Sequence, residues 1–222
     1  MKNCGSAFEY ASQELQNDRE IFIETIKFYG CGIRCAPKEL LNNIKYWNDK
    51  KSVLEALKIY GHSLEYASQE LRSNKEIILE AVKNNGCLLK YASKKLQNDR
   101  EIVLIAVKNR GCALKYASEE LQNDKEVILE SIKNDAGTLQ WASNKLRNDE
   151  EFVIESIKIN GYSLGCASEE LQRNKNLIMR ALKNIYFVDY NKFKIQNNKI
   201  NGFIRFNKRK LKKSFHKILE IY

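Results

Sequence analysis

Six cysteines and two histidines are the residues of this chain best suited to redox, metal or nucleophilic chemistry. Their spacing works against all three. Cys4, Cys31, Cys35, Cys87, Cys112 and Cys166 form no Cys-x-x-Cys pair, and only His62 and His216 can supply imidazole, so the usual ligand spacing of a zinc site is missing. Cys31, Cys87 and Cys112 each follow a glycine, while Cys35 and Cys166 stand where equivalent stretches carry Tyr or Trp. That placement reads as small buried hydrophobes. There is no glycine-rich phosphate loop and no nucleophile motif. The sequence therefore predicts no catalytic residue, no metal ligand and no cofactor, and the chain reads as a non-enzyme.

Positive charge is the second concentration of chemistry. Residues 187–222 hold ten Lys and Arg against Asp189 and Glu220, which is +8 of the chain's formal +10. Lys208, Arg209, Lys210, Lys212 and Lys213 are the densest run, with Phe203, Phe206 and Phe215 interleaved. Three readings stand open for it. It can neutralise phosphates and stack bases, it can meet an anionic membrane or an acidic protein, or it can be the solvated face of a segment that caps the structure before it. Asn201-Gly202 between Phe193-Lys-Ile-Gln196 and Phe203-Ile-Arg-Phe206 predicts a short hairpin. Leu211, Phe215, Ile218, Leu219 and Tyr222 predict a terminal amphipathic helix.

The third set of polar residues recurs on a period, and it shows what positions everything else. Asp18, Asp49, Asn74, Asp99, Asp124, Asp149 and Asn174 occupy one equivalent place in seven copies of a 25-residue unit, starting at Gly5, Gly30, Gly61, Gly86, Gly111, Ala136 and Gly161. Asp and Asn accept from the free N–H groups of a helix start, so this column predicts seven N-caps. Glu20, Glu76, Glu101, Glu126 and Glu151 follow two residues later and Lys27, Lys58, Lys83, Lys108, Lys133, Lys158 and Lys183 come near the far end, as the helix dipole favours. The next glycine is expected to end the helix in a left-handed conformation.

Upstream of each cap lies a predicted first helix. Phe8, Ile33, Leu64, Leu89, Leu114, Leu139 and Leu164 stand three residues after the start, an alanine (Ala11 through Ala167) six after, and Leu15, Leu40, Leu71, Leu96, Leu121, Leu146 and Leu171 ten after. Those offsets share one helical face, and the constant alanine suggests a close helix contact. Two features disturb the pattern. Pro37 replaces the serine of the other copies, and proline is tolerated only in a helix's first turn. Six extra residues, Leu41-Asn-Asn-Ile-Lys-Tyr46, precede Asp49, readable either as a loop on a binding side or as an extension of the first helix.

A fixed period of this length means a stacked array. The fold expected is all-α: an α-solenoid of about seven 25-residue helix-pair repeats over residues 1–186, followed by a basic C-terminal extension over 187–222. No apolar run is long enough to span a membrane, and Met1-Lys-Asn-Cys-Gly5 lacks the apolar core of a secretory signal, so an intracellular, cytoplasmic protein is expected.

Leu89 to Asn109 and Leu114 to Asp135 resemble a known family of tandem repeats of the form Leu-x-Tyr-Ala-Ser-x-x-Leu-Gln-Asn-Asp-x-Glu-x-Val-Leu-x-Ala-Val-Lys-Asn-Asn-Gly. This is a domain of unknown function, two units per domain, found in protists, intracellular bacteria and large DNA viruses. The resemblance covers roughly Gly5 to Asn184 and implies no enzymatic activity. The functional expectation is a scaffold for an unidentified protein partner, presenting positions such as Glu65, Lys90, Lys115 and Gln140, or Glu80, Ile105, Glu130 and Arg180. The alternative is nucleic-acid association through the basic extension.

Overall fold

The computed structural model describes residues 7–29 and 36–181. By its internal contacts the chain divides into two compact units, Met1–Asn174 and Lys175–Tyr222. Of the second unit only residues 175–181 are described, and they are helical. The boundary expected at residue 186, the hairpin, the terminal helix and the basic run Lys208, Arg209, Lys210, Lys212 and Lys213 lie outside the described residues. So do Cys4, Gly5, Gly30, Cys31, Ile33 and Cys35.

The first unit is an all-α, solenoid-like array of repeats, with no strand among the described residues. Its long helices are α1 (Arg19–Tyr29), α2 (Lys50–Ile59), α3 (Lys75–Asn84), α4 (Arg100–Asn109), α5 (Lys125–Ile132) and α6 (Glu150–Ile159). Each is amphipathic. In α4 the buried residues are Ile102, Val103, Ala106 and Val107, and α3 buries the equivalent Ile77, Ile78, Ala81 and Val82. Such a helix cannot cover its own stripe, so the copies bury one another. One cluster of buried side chains accordingly runs from Phe8 to Phe152.

The expected first helix is a different object. It is broken in two at the constant alanine. Gly86–Tyr91 and Gly111–Tyr116 are 3-10 segments, followed by extended residues such as Ala92 (φ −66°, ψ 152°) and Ala117 (φ −67°, ψ 163°). The chain then re-enters a four-residue helix, Lys94–Gln97, or a 3-10 turn, Leu121–Asn123. From Ala36 onward the alanine is buried at a corner of the chain and is no helix-crossing point. The apolar offsets fit one helix on paper, but a hydrogen-bond pattern that favours three residues per turn satisfies them equally well.

Pro37 now has an explanation. The residue after the alanine sits at φ near −60° in five copies: −61° at Ser12, −61° at Ser93, −59° at Ser143, −61° at Ser168 and −54° at Pro37. Proline's fixed φ matches that value. Its missing N–H is the cost, because this N–H elsewhere bonds to the preceding copy: Ser68 to the Trp47 carbonyl (2.9 Å), Ser93 to Arg72 (3.0 Å), Ser118 to Gln97 (2.9 Å) and Ser168 to Arg147 (2.9 Å). The carbonyl that Pro37 leaves over, 21 residues earlier, is that of Gln16. The buried side chain of Asn43 takes it, donating from Nδ2 at 2.9 Å.

Asn43 belongs to the six-residue insertion, which is neither a loop nor a continuation. Lys38–Leu41 and Ile44–Trp47 are two consecutive four-residue helices, so the insertion doubles the short helix. Tyr46 and Trp47 from the second of them are buried and pack on Phe22, at ring-centroid distances of 4.6 and 5.2 Å.

The glycines do a different job from the one expected. None of those described has a positive φ. The residue before the glycine, such as Asn85 (φ −151°) or Asn160 (φ −150°), ends the long helix in an extended conformation. What Gly86 and Gly111 supply is room: a Cβ would come within 2.1 Å of the Ala106 carbonyl oxygen at Gly86, and within 2.5 Å of the Ser131 oxygen at Gly111. The copy that carries Ala136 instead follows α5, which ends at Ile132, two residues shorter than α3, α4 or α6.

Candidate functional site

Six of the seven predicted caps have their geometry described, and all six cap. Asp18 Oδ1 accepts from the Ile21 N–H (3.0 Å), Asp49 from Ser52 (2.8 Å) and Asp149 from Phe152 (3.0 Å). Asn74, Asp99 and Asp124 each accept two N–H groups from the first turn, at 2.9 to 3.3 Å. Asn174 closes the first unit, directly before helical residues 175–181.

A ladder of charge runs through these caps that sequence reasoning missed. The first residue of each long helix from α1 to α5 reaches forward to the next copy. Lys75 bonds Asp99 (2.8 Å) and Glu101 (2.7 Å), Arg100 bonds Asp124 (3.0 Å) and Glu126, Lys125 bonds Asp149 (2.8 Å), and Lys50 bonds Glu76. Where the second copy has Lys51 in place of the carboxylate, Arg19 turns to Glu55 and Ser52. The signal was present in the spacing: a base follows the cap at Arg19, Lys50, Lys75, Arg100 and Lys125. At Glu150 the sign reverses, and the following copy carries Asn174 and Asn176 where carboxylates stood, so no like charges are opposed. Each exposed pair is worth roughly 0–1 kcal/mol, and the ladder's value lies in setting register.

The pKa shifts trace to these contacts. Burial by itself would raise the carboxyls of Asp99 and Asp124, but the Lys75 ammonium, the Arg100 guanidinium and the capped N–H groups hold both below the ordinary range. Asp149 is lowered first by Lys125, and Asp49 first by the Ser52 hydroxyl. These are structural groups. The sign for stability follows: a carboxyl lowered in the folded state stabilises it above about pH 4 and loses that contribution as the pH falls through the folded value. Asp124→Ala is expected to cost on the order of 1 kcal/mol at neutral pH. Asp124→Asn keeps a cap acceptor but loses the Arg100 attraction, so its melting temperature should fall less between pH 5 and pH 3 than that of the parent. Equal acid sensitivity in thermal melts would contradict this account.

A second column also escaped notice. Gln16, Gln97, Gln122 and Gln172 fold back to donate from Nε2 to carbonyls of their own copy's turn, for example Gln97 to Leu89 (3.2 Å) and Gln122 to Leu114 (3.1 Å) and Ala117 (3.2 Å). Trp47 does the same from Nε1 to Leu40 at 2.9 Å.

Three further features remain. An open cleft of about 500 Å³ is lined by Leu57, Lys58, His62, Glu80, Asn84 and Leu88, among others. His62 is stacked on Tyr60 at 5.4 Å and lies edge-on to Tyr91, whose hydroxyl donates to Glu65 at 3.0 Å. Lys90 and Lys115 each lie over the ring of the tyrosine that follows, at 4.4 and 4.7 Å. The third is a pair: Cys87 and Cys112 meet with their sulfurs 3.1 Å apart. Ile105 is half-buried and packs against the core, which removes it from the expected binding face. Among the described residues no group of three or more His, Cys, Asp or Glu is placed to hold a metal ion, and no helix is long and apolar enough to cross a membrane.

Period, caps, glutamine hooks and charge ladder together define a helical repeat protein whose repeated polar side chains bind within each copy and from copy to copy. The chain belongs to the family described as Domain of unknown function (DUF4116), which matches residues 1–41, 49–97, 74–122, 99–147, 124–172 and 149–190. From residue 49 the matches start 25 residues apart and each spans about two copies, so the family's unit is the pair of neighbours seen here. No curated protein and no solved structure matches the chain.

Proposed function

We propose that this protein is a non-enzymatic scaffold that holds a protein partner on its repeat array. The observation that carries the reading is the division of labour among polar positions. The cap, glutamine and first-residue columns are spent on contacts between and within copies, with one chemistry repeated along the array. The positions between them vary from copy to copy while staying accessible: Glu65, Lys115 and Gln140 are exposed, and Glu80 and Glu130 are half-exposed. A surface that changes chemistry along a rigid, periodic frame suits recognition of an extended partner.

The basic extension gives a second reading its specific support, since residues 187–222 carry ten bases against two acids. In that reading Lys208, Arg209, Lys210, Lys212 and Lys213 bind nucleic acid.

One design tests both. Protein from the native source is captured in parallel on the parent chain, on Lys115→Glu/Gln140→Lys, and on a variant with the five tail bases reversed to Glu. The scaffold reading expects a stoichiometric protein partner that the first variant retains at least tenfold less well, at unchanged melting temperature. Mixed-sequence RNA or DNA binding with a steep salt dependence, lost only in the tail variant, would replace it with the nucleic-acid reading.

A further inference from the structure

We propose that Cys87 and Cys112 are a disulfide-forming pair that covalently joins two neighbouring repeats when the protein meets a small-molecule disulfide of the glutathione type. The two residues are free thiols one period apart, at the same place in the 3-10 segments Gly86–Tyr91 and Gly111–Tyr116. Their sulfurs stand 3.1 Å apart, about 1 Å beyond the roughly 2.05 Å of a covalent S–S bond.

The surrounding backbone explains why closure needs little movement. A disulfide requires its two chain segments to run close together, and in this layer adjacent copies are within direct backbone hydrogen-bond reach. Ser118 N–H donates to the Gln97 carbonyl at 2.9 Å, joining the copy of Cys112 to the copy of Cys87. Within the copy of Cys87, Gly86 N–H donates to Asn109 Oδ1 at 2.9 Å, and Gly86 lies so close to the Ala106 carbonyl that no Cβ fits. Gly111 is likewise held against the Ser131 carbonyl oxygen, where a Cβ would come within 2.5 Å, and each cysteine directly follows its glycine. The column also isolates the pair: the position is His62 in the copy before, Gly137 and Tyr162 in the copies after.

Both thiols are half-buried, which leaves a path for a small oxidant. Burial, and then the hydrogen bond with Cys112, push the Cys87 thiol up to about 11, against a weaker opposing pull from Arg110 and Lys115. Cys87 therefore keeps its proton near neutral pH. Oxidation proceeds by two exchanges. One protein thiolate attacks a sulfur of the small disulfide, whose S–S bond breaks and whose departing thiolate takes up the proton. The other protein thiol, as its thiolate, then attacks the protein sulfur of that mixed disulfide and releases the second small thiol. Two protein thiols and one small disulfide become one protein disulfide and two small thiols. The product closes a loop at the centre of the array and removes freedom from its unfolded state.

The full chain is incubated with oxidised glutathione, alkylated and digested with trypsin without reduction. The expected product is the peptide 84–90 joined to the peptide 111–115, lighter by two hydrogen atoms than their sum and found in monomeric protein. The oxidised chain should melt on the order of 5–10 °C higher than the reduced one. Cys112→Ser should abolish both effects, and Cys166→Ser should keep both. The proposal is overturned if the folded protein yields both peptides singly alkylated, if either cysteine stops at the mixed disulfide, or if the joined peptides occur only in cross-linked dimers.

Discussion

Gly86→Ala is expected to destabilise the array by about 3 kcal/mol or more, while Gly161→Ala, at the same repeat position, is expected to be neutral or to stabilise by roughly 0.4–1 kcal/mol. The contrast comes from what stands opposite each glycine. A methyl group on Gly86 would sit 2.1 Å from the Ala106 carbonyl oxygen and 2.9 Å from its carbon, which belong to the backbone of α4 and cannot rotate away. At Gly161 nothing lies within 4 Å of the added carbon. Neither glycine has a positive φ, so backbone strain drops out of the comparison, and the small gain at Gly161 reflects the narrower freedom of alanine in the unfolded chain. Thermal and chemical denaturation of the two variants measures the difference. Equal losses would mean that the glycines are needed for conformation after all, and the packing account would fail.

Leu121→Ala should cost about 2–5 kcal/mol, against less than about 1 kcal/mol for Leu15→Ala, although both are the leucine ten residues into their copies. Leu121 is 5% exposed and Leu15 is 48% exposed. Removing buried methyl groups forfeits their transfer energy and leaves a cavity, whereas at Leu15 water already reaches half the side chain. The following copy is also different, since the doubled short helix stands there, with Asn43 and Lys45 bonded to the Gln16 and Asn17 carbonyls. Comparable losses from the two substitutions would show that the first copy's leucine is packed as its equivalents are.

Much of this architecture was legible in the residues. The 25-residue period, the six described caps and the amphipathic stripes of α1 to α6 rest on local rules: which side chains accept an N–H at a helix start, and which spacing lines one face. Such rules act within a few residues of chain, so a single sequence states them. The same reasoning led to the helical class. It went wrong at the first helix. Apolar offsets of three, six and ten suit one helix, and only the alanine and serine conformations, held by bonds such as Ser93 to Arg72, reveal a broken pair of turns.

What remained belongs to contacts between segments far apart in the chain. Gly86 looks like a helix terminator until α4 is seen beside it, and Pro37 looks like a defect until Asn43 is found on the Gln16 carbonyl. Cys87 and Cys112 are 25 residues apart in the chain and 3.1 Å apart in space. Local propensity acts along the chain and is written in it residue by residue. The distance between equivalent atoms of successive copies is set by how all their side chains pack at once, and only the tertiary structure decides it.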